Sequence, residues 1–135
     1  MVLLGSSAPI LVDINLILQY ITLILLIVGY VKRKPFKTHG YLMLLVLVIT
    51  VSTTLTIMAP RLLATFSVYG YLIIGHASIG IISMLLGILF SARFILALRN
   101  NKPLTCGTKN MMRLALILWI IPIFAGTMLY FTLYI

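Results

Sequence analysis

Four apolar runs, each long enough to cross a bilayer, divide this sequence, and the short segments between them carry nearly all of its charge. A spanning helix needs about 20 predominantly apolar residues. The runs cover 9–31, 40–59, 67–98 and 111–134. The expected fold is therefore all-α, a polytopic membrane protein of four transmembrane helices. Lipid supplies no hydrogen bonds, so spanning backbone must pair with itself, and a helix does so within one segment. The spans consume nearly all of the 135 residues, leaving 1–135 as a single transmembrane helical domain. Hydrophobic residues make up 63% of the chain and charged ones 8%. A soluble globule could not hide that surface, because a small domain buries only about 60–70% of what its unfolded chain exposes.

The first run precedes its basic cluster, Lys32, Arg33, Lys34 and Lys37, rather than following one. A secretory signal has the opposite order, so this run reads as a retained helix. Gly40 and Pro60 bound the second run, which contains Thr50, Ser52, Thr53, Thr54 and Thr56. Such hydroxyls can bond back to a carbonyl one turn earlier and bend the helix. Pro122 inside the fourth run predicts a kink whose freed carbonyl a neighbouring helix must satisfy. Asn100, Asn101, Lys102, Pro103 and Gly107 read as a polar loop between the third and fourth runs.

Ten Lys and Arg oppose one acid, Asp13, for a net charge of +9. The first connection holds four of the cations, and Arg99, Lys102, Lys109 and Arg113 cluster around the third. The second connection offers Arg61 and the N-terminal segment none. The positive-inside rule then places 32–39 and 99–110 in the cytoplasm and both termini outside, in a multi-pass protein of the cell membrane. Tyr30, Phe36 and Tyr41 would flank the inner boundary, and Phe66, Tyr69, Tyr71, Tyr130, Phe131 and Tyr134 the outer one. Cations placed between spans fit anionic lipid headgroups. A chain with so little exposed surface has no room for a nucleic-acid groove.

An ionisable group inside a span is expensive, which singles out a few residues. His76 falls about 12–14 Å along the third helix from its outer end. Gly80, Ser83, Gly87 and Ser91 follow it at helical spacing, a stripe that lets another helix approach closely. The same stripe would leave room for a flat cofactor such as haem b, with His76 as its ligand. Asp13 enters the first helix from the outer side, where Arg61 or His76 could compensate it in a small polar site. His39, beside Lys37, reads as a solvated boundary residue. Its depth should differ from that of His76 by about 15–20 Å, which argues against both ligating one iron. Cys106 stands alone, and the methionines are scattered over depth, so no metal cluster is expected. One acid and two histidines assemble no hydrolytic machinery, so no enzyme is expected.

Ile14-Asn15-Leu16, Val28-Gly29-Tyr30, His39-Gly40-Tyr41-Leu42-Met43, Gly75-His76-Ala77 and the last helix through Trp119 are similar to a small prokaryotic membrane family, domain of unknown function 420. The resemblance covers most of the chain and implies a link with cytochrome c oxidase assembly or respiratory contexts. The family's further histidine before the last helix is missing from Lys109-Asn110-Met111-Met112-Arg113. His39 and His76 are then the positions that could inherit ligation. Two functions are expected from these residues. The first is a non-catalytic accessory or assembly subunit of a larger membrane complex, such as a respiratory or other metal-containing oxidase, with other integral membrane subunits as partners. The alternative is a small b-type cytochrome or quinone-site protein using His76, completed by a partner's ligand. A transporter has less support, because no paired broken helices occur.

Overall fold

Each apolar run forms a helix: α1 (Ile10–Val31), α2 (Phe36–Thr53), α3 (Ala59–Arg99) and α4 (Lys109–Tyr134). The structure, a computed structural model, describes residues 7–104 and 108–135, apart from the side chains of 65–69. Cys106 and Gly107, and the side chains of Phe66 and Tyr69, therefore lie outside the described residues. Segments Ile10–Val31, Phe36–Ala64, Gly70–Arg99 and Lys109–Tyr134 are each long and apolar enough to span a membrane. The described residues contain no strand.

The second span begins earlier than Gly40 and runs past Pro60. Pro35 stands at its N-cap, and Lys37 and His39 lie in its first turns. Thr50 donates to the Val46 carbonyl at 2.9 Å, Thr53 to Ile49 at 3.0 Å, and Thr56 to Ser52 at 2.7 Å. A π turn, Thr54–Met58, then joins α2 to α3 without a break, the Ala59 amide reaching back to the Thr54 carbonyl. Pro60 sits in the first turn of α3. A proline normally ends a helix because its missing N–H orphans a carbonyl and its ring crowds the preceding turn. The wider π turn just before it shifts the ladder, and helical backbone continues.

Phe94 packs on Gly40 and Leu47 approaches Gly87, so α2 and the second half of α3 run in opposite directions. Contacts join α1 to α2, α2 to α3, α3 to α4 and α4 back to α1, a ring of four antiparallel helices. Leu26, Val46, Leu47, Trp119 and Ile123 fill its centre. The buried face of α1 is mixed and its outer face apolar: Asp13, Gln19 and Thr22 are buried along with Leu26, whereas Ile17, Ile21 and Ile24 are exposed. Exposed apolar surface on this scale is unstable in water, whereas in a bilayer it faces its own solvent.

The helix ends are closed locally. Asn101 adopts a left-handed φ of 50° after α3, and the Lys102 amide reaches the Ala97 carbonyl at 3.0 Å. That is a Schellman arrangement, in which asparagine is among the residues that tolerate the conformation. Thr108 caps α4 by accepting from the Met111 amide at 3.4 Å. Ser7 donates from its amide to the Tyr134 carbonyl at 3.1 Å, which ties the segment before α1 to the end of α4.

Candidate functional site

The four helices leave a cavity of about 310 Å³ at the end of the bundle where Ser7 meets Tyr134. Helix α1 supplies Asn15 and Gln19, α2 supplies Thr50, α3 supplies Arg61, His76, Gly80 and Ser83, and α4 supplies Pro122, Gly126 and Tyr130. Most of the remaining lining is apolar, with Leu62, Ile73, Met84 and Leu133 among it.

His76 reaches this space because α4 carries no side chain opposite it. A methyl group on Gly126 would stand 3.1 Å from Cε1 of the imidazole. His76 makes no hydrogen bond among the described residues, and its Nδ1 is enclosed without a partner. Asn15 Oδ1 is likewise enclosed and unpartnered. The polar groups around them are paired. Gln19 Nε2 donates to Thr53 Oγ1 at 3.4 Å, and the Tyr20 and Thr127 hydroxyls lie 3.3 Å apart.

Asp13 is fully buried, at 0% exposure, and accepts from the Tyr130 hydroxyl at 2.6 Å. Of the two pairings expected for it, with Arg61 or with His76, the one with His76 is not made. The structure does gather the three residues of the expected polar site at one end. Arg61 and His76 line the same cavity, and Asp13 adjoins it through Tyr130, which lines it too. Sequence reasoning missed Tyr130 as a partner, having read it only as an interfacial aromatic.

The small-residue stripe has two uses. Gly87 receives the Trp119 ring, and Ser83 and Ser91 are buried, so this part of α3 is covered within the chain. Gly80 has nothing near it and opens on the cavity. Ser83 also donates to the Leu118 carbonyl of α4. That carbonyl lacks its helical partner because residue 122 is proline, so Ser83 is the neighbour that the proline requires.

His39 lies at the opposite end and is half-buried rather than solvated. Its Nδ1 is 2.7 Å from the Gly29 carbonyl, one of the unpaired carbonyls that close α1. Since a carbonyl only accepts, Nδ1 carries the proton there. His39 lines a second cavity, of about 100 Å³, together with Tyr30, Arg33, Phe94, Lys109 and Arg113. Trp119 lines both cavities. The two histidines thus face different spaces at different ends of the bundle, and the fold does not bring them to one iron. Among the described residues, no three His, Cys, Asp or Glu side chains gather as a metal site.

Fold and site define a four-helix bundle of membrane-spanning helices with a partly polar cavity inside it. No protein-family model, no curated protein and no solved structure matches the chain.

Proposed function

We propose that this chain is a membrane-embedded binding protein whose cavity around His76 receives a mostly apolar molecule with a small hydrogen-bonding head, of the quinone class. The observation that carries this is the pair of enclosed, unpartnered polar atoms, Asn15 Oδ1 and His76 Nδ1, on residues lining one cavity. Each such atom costs about 1–3 kcal/mol when left unsatisfied. Buried polar groups are otherwise almost always paired, so two exceptions in one place call for an outside partner. Asn15 Oδ1 can only accept, whereas an imidazole can donate or accept according to tautomer. A quinone carbonyl accepts from an imidazole N–H, and the hydroxyl of its reduced form donates to the amide oxygen. The apolar lining suits the rest of such a molecule.

The role as a packing subunit of a larger complex drew on the small-residue face of α3. Much of that face is covered by α4 of the same chain, so the cavity is the better guide to function. Placement in the cell membrane with 32–39 and 99–110 facing the cytoplasm belongs to the same proposal, supported by the distribution of Lys and Arg.

Trp119 is the only tryptophan and lines this cavity as well as the one at the other end, so its fluorescence reports binding and the His76 variant assigns the signal to this cavity. Titrating detergent-solubilised protein with a short-chain quinone should quench it saturably. His76→Ala should weaken the affinity by about tenfold, equivalent to ~1.4 kcal/mol. Linear, unsaturable quenching in the wild type, or equal affinity in the variant, would count against the proposal.

A further inference from the structure

The cavity at the basic end has a different chemistry. Its mouth carries Arg33 from the segment after α1, and Lys109 and Arg113 from the first turns of α4. Apart from His39 and Ser91 most of the remaining lining is apolar, with Leu26, Met43, Val46, Leu116 and Trp119 among it. The only acidic side chain of the protein is Asp13, fully buried beside the other cavity, so no carboxylate side chain balances these cations. The first turn of α4 contains no acid either, and the N-terminal end of a helix adds positive potential of its own.

We propose that this cavity is a binding site for an anionic membrane lipid. The phosphate of the lipid meets Arg33, Lys109 and Arg113, and one hydrocarbon chain enters the slot toward Trp119. Charge selects the headgroup, because guanidinium and ammonium groups are strong phosphate donors. The apolar slot selects an amphiphile over free phosphate, which would leave the apolar part of the space empty and dry. Cations on the loops alone would attract anionic lipid only diffusely within a Debye length. Here three of them line one cavity, which sets them apart from the other loop cations. The site opens at the other end of the bundle from the ligand proposed at His76, and the two cavities share the Trp119 ring.

The test is native mass spectrometry of protein extracted from vesicles of mixed phosphatidylcholine and phosphatidylglycerol. Retained lipid should be enriched several-fold in phosphatidylglycerol over its share in the vesicle. The triple variant Arg33→Gln, Lys109→Gln, Arg113→Gln should lose that enrichment. Ala115→Phe, which fills the slot and keeps every charge, should lose retained lipid as well. Ala115→Leu serves if the larger ring prevents folding, with far-UV circular dichroism as the control. Added inorganic phosphate should not displace the lipid. Retention of both lipids in their vesicle ratio would overturn the proposal. So would retention untouched by filling the slot, which would mean diffuse attraction only, or displacement by inorganic phosphate, which would mean a free-anion site.

Discussion

Asp13 and Tyr130 show what one polar pair contributes inside an apolar bundle. A fully buried acid accepts a 2.6 Å hydrogen bond from a residue 117 positions away, which ties α1 to α4 beside the candidate site. Tyr130→Phe keeps the ring and removes the donor, so it should lower unfolding free energy by about 1–3 kcal/mol. Chemical denaturation in detergent would measure this, and an unchanged midpoint would mean that the bond contributes nothing. Gly126→Ala acts on the other polar group. The added methyl crowds the His76 imidazole and should weaken quinone affinity in the Trp119 titration while leaving helix content intact. The expense of Asp13 and His76 was legible in the sequence, because ionisable groups in spans stand out. The hydrogen-bond partner of Asp13 was not, since Tyr130 is an ordinary interfacial aromatic until packing turns it inward. Asn15 escaped notice as a site residue for a similar reason, being one uncharged polar residue among many.

Among the elements, α3 and α4 are coupled through a proline and a serine. Residue 122 cannot donate to Leu118, and Ser83 donates instead. Ser83→Ala should therefore cost about 0.6–1.7 kcal/mol, the range for interhelical hydrogen bonds in membranes. In a Pro122→Ala background the restored amide takes over the carbonyl, and the same serine change should cost less. A double-mutant cycle reads that coupling directly, and additive effects would show that the two residues act separately. A proline in the fourth run and hydroxyls in the second were both plain in the sequence, along with the local consequences of each. The continuation through Pro60 was not, because a π turn is a register shift with no residue signature of its own. Nor was the role of His39. The Gly29 carbonyl that it caps comes within reach only once α1 and α2 fold against each other.

Across the whole molecule, a core that is apolar at its centre with buried polar side chains around it, and the two cavities, follow from one ring of four helices. Four spans were readable from hydropathy because bilayer thickness sets helix length. Which faces turn inward was less readable, since in a nearly uniform apolar sequence small polar residues mark the interior only weakly. Orientation is testable through Cys106, the only cysteine. A membrane-impermeant maleimide should label it in inside-out vesicles and not in sealed right-side-out ones; the reverse pattern would invert the assignment.

The central claim, a ligand site at His76, is most directly tested by nitrogen NMR of histidine-labelled protein. The chain has two imidazoles, one in each cavity, so His39 serves as an internal reference. Adding a short-chain quinone should shift the ring nitrogens of His76 and leave those of His39 in place. If neither histidine moves, or both move alike, the cavity at His76 is not where the ligand binds.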